Sequence, residues 1–394
     1  MTSLTLTVED CLPEDRSAAT LVGRAWRPDT EPAGPSVIAV RGDRVVDIST
    51  TCATSAELMA RTDAVAVVRD AKGEDIGALS DLLANSAHDS RNPSKPWLLA
   101  PIDLQAVKAC GVTFAESMVE RVIEEKAKGD PSAADAIRAD IAREIGSDLS
   151  AIKPGGEEAM RLKASLIERG MWSQYLEVGI GPDAEVFTKA PPMAAVGLGA
   201  QVGLHAISDW NNPEPEITIV ITAEGKIVGA TLGNDVNLRD VEGRSALLLG
   251  KAKDNNGSAA VGPFIRLFDD RFSLDDMRVA ELDLLVTGTD GFRMEGRSSM
   301  SKISRDPADL AAHAIGPHHQ YPDGLVLMTG TLFAPTKDRD TKGGGFTHHV
   351  DDVVSIRTPK LGALVNRVGR SHAIPPWTFG VGALMRNLAA RRLI

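Results

Sequence analysis

The chain has 394 residues, of which 43 are basic and 54 acidic, so its formal net charge is −11. A hydrophobic fraction of 43% is too high for a disordered chain and is typical of a folded protein with a full-sized core. The acidic balance argues against nucleic acid or an anionic membrane as a partner, because phosphate binding needs a concentration of Lys and Arg.

The sequence carries no signal for an oxidising compartment or a bilayer. Cys11, Cys52 and Cys110 are widely spaced and match no disulfide framework or zinc cluster. The first ten residues are polar and acidic, unlike a signal peptide. No apolar run approaches the ~20 residues that span a bilayer. We therefore expect a cytoplasmic protein without a membrane partner.

Residues 1–100 predict a smaller N-terminal α/β domain. Val37–Val40 and Arg44–Ile48 are short β-rich runs across a turn at Gly42-Asp43, which is typical of a hairpin, and a helical pattern follows at 56–59. The stretch 92–96 contains two prolines and breaks regular structure. We place a domain boundary there, so that a catalytic domain spans 101–394.

The second part begins with helices and continues with strands. An amphipathic helix is predicted over 115–123, because apolar residues recur at helical spacing. Runs of strands that do not alternate regularly with helices favour an α+β fold over a doubly wound sheet. Further helices are expected at 132–145 and 156–169, and strands at 217–221, 226–230, 282–286, 325–330, 353–357 and 363–368.

Two carboxylates lie close together at the leading edge of a predicted strand. Glu214 and Glu216 are two residues apart, and in an extended chain such residues project from the same face. The pair would repel itself unless a cation lay between, and hard divalent ions such as Mg²⁺ take oxygen ligands. A solvated strand end is the alternative interpretation of this spacing.

Two other segments carry polar residues that are weak signals when taken singly. Asp235 lies in Gly233-Asn234-Asp235-Val236-Asn237-Leu238-Arg239-Asp240, where Asp and Asn after Gly are common in turns and helix caps. Lys253 follows in a context of small residues, and a lysine is usually a surface residue.

The joint spacing of these segments resembles the fumarylacetoacetate hydrolase superfamily. The shared pattern is Glu-x-Glu, then Asn-Asp-x-x-x-Arg-Asp about twenty residues later, then a lysine eighteen residues past that first Asp. Phe187-Thr188-Lys189 and Thr329-Gly330-Thr331 also match, and the resemblance covers roughly residues 101–394. It implies a mixed β-sandwich or roll as the catalytic domain.

The resemblance also implies roles for individual residues. Glu214, Glu216 and Asp235 would bind the metal, with Mg²⁺ expected and Mn²⁺ or Ca²⁺ as alternatives. Lys253, Glu116 and Ser117 are our candidates for catalysis, with a solvated helix surface as the alternative interpretation of Glu116. The residues that would contact the substrate, a small 2-oxo sugar acid, are Arg239, Thr331, Lys189, Thr113 and Glu242.

One departure from the family pattern indicates the type of reaction. Many hydrolytic members carry Gly-x-Asn-Tyr-x-x-His, whose histidine helps to activate water, whereas here Ser117 stands at that position. Serine at its ordinary pKa is no general base near neutrality. An elimination needs no attacking water, so the change favours a lyase over a hydrolase.

The whole chain, including its N-terminal extension, is similar to a narrower group. This group comprises bacterial dehydratases of 2-keto-3-deoxy-D-pentonate (xylonate or arabinonate), which form 2,5-dioxopentanoate in non-phosphorylative pentose degradation. The resemblance implies a Mg²⁺-dependent hydro-lyase that assembles as a homodimer or homotetramer. The alternative is a hydrolase that cleaves a carbon–carbon bond of a 2,4-diketo acid, or a 2-oxo acid decarboxylase, at the same site.

Overall fold

The computed structural model describes residues 3–114, 118, 122–123, 125–126, 152–168, 170, 172–331, 333, 335 and 337–394. The predicted helix at 156–169 is confirmed as Glu157–Glu168. The helix predicted at 115–123 falls largely, and that at 132–145 wholly, outside the described residues. No helix of the described part is both long and apolar enough to cross a membrane.

Most of the helices are short and lie between strands. The N-cap Thr54 begins one of them, because its hydroxyl accepts a hydrogen bond from the Glu57 N–H. The described helices are Val8–Cys11, Ser55–Ala60, Ala64–Asp70, Leu79–Ser86, Glu157–Glu168, Gln174–Ile180, Arg239–Glu242, Leu249–Lys253, Leu274–Arg278, Pro307–Ala314 and Val381–Ala390, with single 3₁₀ turns at Ala246–Leu248 and Met300–Lys302.

The strands provide the frame of the molecule and are numbered in chain order. They are β1 (Leu21–Arg27), β2 (Gly34–Arg41), β3 (Arg44–Asp47), β4 (Glu74–Ala78), β5 (Trp97–Leu98), β6 (Ala106–Gly111), β7 (Glu185–Ala190), β8 (Gln201–Leu204), β9 (Asn211–Asn212), β10 (Pro215–Ile221), β11 (Ile227–Asp235), β12 (Asn237–Leu238), β13 (Ala259–Leu267), β14 (Glu281–Thr287), β15 (Arg293–Ser299), β16 (Leu325–Met328), β17 (Val353–Thr358) and β18 (Gly362–Arg370).

Two sheets organise these strands. The large sheet runs in the order β4-β3-β2-β1-β13-β11-β10-β16-β6-β7, with β5 also paired to β1. The second sheet runs β15-β14-β17-β18-β8, and β9 pairs with β12 in a small ribbon. Only β16–β6 and β18–β8 are parallel among these described pairs. The expected α+β class, with strands in runs, is confirmed.

The alternation of side chains along β10 decides which layer each one enters. Ile217, Ile219 and Ile221 belong to the core that the large sheet shares with the second sheet. Val220 points the other way, into a second core that includes Leu58 of the helix Ser55–Ala60. Since successive side chains of a strand alternate between faces, both faces of β10 are buried. The strand is fully apolar after Glu216 except for Thr218.

The hairpin predicted across Gly42-Asp43 is confirmed, and the strands predicted at 217–221 and 226–230 also pair as a hairpin. β2 pairs with β3 across Gly42-Asp43, and β10 pairs with β11 across the turn that contains Gly225. Gly225 has φ +81°, a left-handed conformation that residues with a Cβ rarely adopt. The strands expected later in the chain correspond to β14, β16, β17 and β18, although β16 already ends at Met328.

The N-terminal segment is joined to the rest of the chain through a shared sheet. β1 pairs antiparallel with β13, with Val22 opposite Ile265. The Phe264 ring of β13 lies directly against Gly23 of β1, so closely that a Cβ on Gly23 would come within 2.8 Å of it. The division into domains 1–100 and 101–394 stays a prediction. Backbone hydrogen bonds of the large sheet connect the two ranges.

This continuity has a consequence for unfolding. Phe264→Ala removes a fully buried ring at the β1–β13 contact, so we expect a loss of about 3–5 kcal/mol in the free energy of unfolding. Because the sheet is shared, the N-terminal strands should unfold together with the rest. Guanidinium unfolding followed by circular dichroism measures the free energy of unfolding and shows whether there is a single transition. Val279→Ala, at a residue that is 64% exposed, is the control. A separate early transition of the N-terminal segment in the variant would contradict this expectation.

A candidate metal centre at the end of a β-hairpin

Three carboxylates converge where the β10–β11 hairpin is open. Glu214 directly precedes β10, Glu216 lies at its start, and Asp235 is the last residue of β11. One oxygen from each lies within 4.8 Å of the others. The antiparallel register places Pro215 opposite Asn234, so the ends of the two strands meet. The predicted convergence of the three acidic residues is confirmed.

These carboxylates are removed from water. Glu214, Glu216 and Asp235 are each no more than 3% exposed. Burial and the negative charges of Asp235 and Glu214 raise the pKa of Glu216 well above its ordinary value. The solvated strand end considered from sequence is therefore wrong. Buried like charges require compensation, and neighbouring groups must supply it.

Two buried lysines supply part of that compensation. Lys253 donates from Nζ to Glu214 Oε2 and to Asp235 Oδ2, the latter at 3.0 Å. Lys189 Nζ lies 2.7 Å from the other oxygen, Asp235 Oδ1. Burial alone would raise the pKa of Asp235, but the two ammonium groups outweigh burial and hold it below its ordinary value. If all five groups are ionised, three carboxylates and two ammonium groups leave one uncompensated negative charge.

Glu216 is held by a backbone group. The Gly330 N–H donates to Glu216 Oε2 at 2.6 Å. The other oxygen, Glu216 Oε1, is buried and has no hydrogen-bond partner among the described residues. A buried carboxylate oxygen without a donor is costly, and a bound cation would satisfy it. The orphaned oxygen, the uncompensated charge and the all-oxygen ligand set fit a hard divalent ion.

The turn that presents the Gly330 N–H is tightly constrained. Gly330 has φ +101°, and a Cβ there would lie 1.9 Å from Thr113 Oγ1. The Thr113 hydroxyl donates to Thr329 O at 2.7 Å, and the Thr329 hydroxyl donates to Ile217 O of β10. Threonine hydroxyls therefore tie this turn to the strand that carries Glu216, and glycine is required at position 330.

Three of the predicted substrate contacts are engaged inside the protein. The Thr113 side chain is 1% exposed and supports the Gly330 turn. The Thr331 hydroxyl donates to Phe333 O at 2.9 Å. Lys189 is fully buried beneath Asp235. Their contact with a substrate stays a prediction, and the contacts described here favour supporting roles for Thr113 and Lys189.

Arg239 and Glu242 lie together on the helix Arg239–Glu242, which follows β12. Both residues are buried. The Arg239 guanidinium lies 4.8 Å from the centre of the Trp210 ring and donates from Nη1 to Pro335 O. The contact with the ring and the hydrogen bond to Pro335 O restrict the direction of the planar set of N–H donors. Glu116 and Ser117, the other proposed catalytic residues, lie outside the described residues.

Sequence reasoning missed two groups that position the carboxylates. The first is the Gly330 N–H, because the Thr-Gly-Thr segment drew attention to the hydroxyl of Thr331. The second is Asn234, which is fully buried and whose Oδ1 accepts from the Glu214 N–H at 3.1 Å. Its place next to Asp235 was interpreted as turn or cap chemistry. Only the pairing of β10 with β11 shows what it contacts.

Comparisons with known proteins find one matching family and relatives that are named as sugar-acid dehydratases. Residues 174–369 match the family described as fumarylacetoacetate (FAA) hydrolase C-terminal. The chain is 31% identical over 193 residues to a 2-dehydro-3-deoxy-D-arabinonate dehydratase of Saccharolobus solfataricus. The matched segment covers 48% of this chain and 60% of that protein. The chain is also 30% identical over 201 residues to a probable 2-keto-3-deoxyxylonate dehydratase of Haloferax volcanii, covering 51% and 65%.

Solved structures extend the similarity in fold beyond the matched sequence. A 2-keto-3-deoxy-D-arabinonate dehydratase complexed with magnesium and 2,5-dioxopentanoate has a TM-score of 0.60 at 20% identity, covering 89% of this chain and 99% of that one. The sequence matches are shorter, since the chain spans less than two thirds of the length of the two relatives. The shared architecture confirms the expected fold type.

The constraint at Gly330 can be tested directly. Gly330→Ala places a methyl group against Thr113 and requires a left-handed conformation, so the N–H should move away from Glu216. We expect Mg²⁺ to bind about tenfold to a hundredfold more weakly in calorimetry, because partners of metal ligands have effects of this size. Gly316→Ala is the matched control, since a Cβ there meets no atom within 4 Å. Unchanged Mg²⁺ affinity in Gly330→Ala would contradict the assigned role.

Proposed function

We propose that the chain, whose residues 174–369 match the fumarylacetoacetate hydrolase family, is a magnesium-dependent dehydratase of a 2-keto-3-deoxy-D-pentonate. The product would be 2,5-dioxopentanoate. The observation that carries the proposal is the buried trio Glu214, Glu216 and Asp235 with Lys253 bonded directly to two of its members. The two relatives named as dehydratases of such acids support the choice of substrate.

The residues of the trio fit a resident Mg²⁺. Glu214, Glu216 and Asp235 would hold the ion, which when bound supplies a Lewis acid that polarises the 2-oxo group and acidifies the neighbouring carbon. Arg239 is proposed to bind an anionic group of the substrate, because its guanidinium can form paired hydrogen bonds with a carboxylate. Its contact with the Trp210 ring restricts the orientation of that guanidinium.

Lys253 is the described residue best placed to move a proton. Its ammonium group is buried at the edge of the trio, with Nζ also 5.5 Å from the centre of the Phe187 ring. The reaction removes a proton from C3 and the hydroxyl from C4, which forms a C3–C4 double bond. It then removes a proton from C5 and returns one to C3, and the resulting enol gives up its hydroxyl proton while C4 gains one, so that C5 becomes an aldehyde. The net change is the loss of one water. Lys253 Nζ can donate a proton to the departing hydroxyl or return one to carbon.

Two other catalytic candidates stay predictions from the sequence. Glu116 is proposed to take or return protons, and Ser117 to hydrogen-bond a sugar hydroxyl. The serine stands where hydrolytic members of the family carry histidine, and an elimination does not need a group that activates water for attack on carbon. The chain is also proposed to act in the cytoplasm as a homodimer or homotetramer, which the resemblance alone supports.

The reaction assay distinguishes the proposal from its alternative. With Mg²⁺, we expect 2-keto-3-deoxy-D-xylonate or 2-keto-3-deoxy-D-arabinonate to give 2,5-dioxopentanoate, detected by NMR. Treatment with EDTA should abolish turnover, and added Mg²⁺ should restore it, because the trio holds the ion. Pyruvate formed from a 2,4-diketo acid, with no 2,5-dioxopentanoate from either pentonate, would instead show a hydrolase at the same site.

The role of Lys253 predicts a selective loss of turnover. Lys253→Met removes the ammonium group while preserving side-chain length, so kcat should fall by about 10²–10⁴-fold, the usual contribution of a positioned acid or base. Mg²⁺ should still bind, since the three carboxylates remain. Lys251→Met, at an exposed residue on the same helix, is the matched control. Turnover of Lys253→Met close to that of the wild type would rule out this role.

A further inference from the structure

Lys189 is fully buried, and its contacts use every hydrogen it can donate. Its Nζ lies 2.7 Å from Asp235 Oδ1, donates to Val236 O at 2.9 Å and also donates to Lys253 O. An ammonium group has three N–H donors and no acceptor, so these three oxygens saturate it. A 0% exposed, saturated lysine leaves no donor for a substrate.

Lys189 contacts both Asp235 and the residue that holds the other oxygen of Asp235, Lys253. Lys189 binds one oxygen of this carboxylate, and Lys253 binds the other. Lys189 also holds the backbone carbonyl of Lys253, so it fixes the chain from which the second ammonium group extends. Asp235 is therefore held at both oxygens. Lys189 makes the first of these contacts itself, and it supports the second by holding the backbone of Lys253.

The other two carboxylates are also held by N–H donors. Lys253 holds Glu214 at Oε2, and the Gly330 N–H holds Glu216 at Oε2. A carboxylate that is free to turn can offer one or both of its oxygens to an ion, and these N–H donors restrict that freedom. At Asp235 the restriction acts on both oxygens, because Lys189 contacts one and Lys253 the other.

We propose that Lys189 is a positioning residue that restrains Asp235 to bind an ion through a single oxygen, and so makes this site prefer Mg²⁺ to Ca²⁺. Mg²⁺ needs a small, nearly ideal octahedron with oxygens at about 2.0–2.1 Å, which rigid single-oxygen ligands suit. Ca²⁺ takes about six to eight oxygens and often binds a carboxylate through both. Without the restraint, Asp235 can bind Ca²⁺ through both of its oxygens. Removal of the restraint therefore strengthens the binding of Ca²⁺ relative to that of Mg²⁺.

The inference rests on the proposed metal site but is tested without turnover. Lys189→Met keeps the length of the side chain and removes its charge and donors. Loss of a positive charge strengthens the binding of every divalent cation, so the relevant quantity is the ratio of the two dissociation constants, Kd for Ca²⁺ over Kd for Mg²⁺. Calorimetric titration of chelator-treated full-length protein with MgCl₂ and with CaCl₂ gives this ratio.

The matched control is a second buried lysine on the neighbouring strand. Lys108 of β6 is 8% exposed, and its Nζ donates to Thr188 Oγ1 at 3.0 Å instead of to the carboxylate trio. Lys108→Met should leave the ratio unchanged. If circular dichroism shows that Lys189→Met does not fold, Lys189→Gln decides the question. Its amide retains a donor without the charge, and we expect this variant also to lower the ratio.

We expect the wild type to bind Mg²⁺ more tightly than Ca²⁺, and Lys189→Met to lower the ratio about tenfold, the lower end of effects seen for partners of metal ligands. An unchanged ratio in a folded Lys189 variant, an equal fall in Lys108→Met, or a wild type that prefers Ca²⁺ would overturn the inference. The proposed function would survive these results. Failure of the wild type to bind either ion would instead remove the metal site itself.

Discussion

The repulsion among three buried carboxylates is the constraint on which the arrangement of this site depends. Two unit charges about 4 Å apart repel by about 4 kcal/mol at an effective dielectric constant of 20, and burial adds a desolvation cost. Glu214, Glu216 and Asp235 remain together because two ammonium groups and a backbone N–H face them. The compensation is incomplete, and the remaining negative charge with an unpaired oxygen on Glu216 is what a divalent cation would satisfy.

The large sheet brings these groups together because its neighbours in space come from distant parts of the chain. β11 lies between β10 and β13, and β16 lies on the other side of β10. Lys253 belongs to the helix that precedes β13, and Gly330 follows β16. Both groups therefore reach the open end of the β10–β11 hairpin from segments that adjoin neighbouring strands of the sheet. The second sheet packs behind, so the site has a rigid base.

The two lysines that contact Asp235 have different positions and hence different chemistry. Lys253 bridges two carboxylates, which places its proton-bearing nitrogen at the edge of the site. Lys189 lies beneath, is saturated by three oxygens and holds the backbone of Lys253. A proton-transfer role suits the first and a positioning role the second. Thr113 has a similar supporting place under the Gly330 turn, where its hydroxyl is already donated to Thr329 O.

The sequence by itself determined the α+β class and the hairpin across Gly42-Asp43, because runs of strands and turn residues are local signals, and the joint spacing that resembles the fumarylacetoacetate hydrolase superfamily indicated the three acidic residues. Tertiary structure alone decided that Lys189 contacts Asp235, that the Gly330 N–H reaches Glu216, and that β1 joins β13. These contacts connect residues 46, 114 and more than 200 positions apart. Their existence depends on strand order and register, which are set by the packing of the whole sheet and by no short pattern.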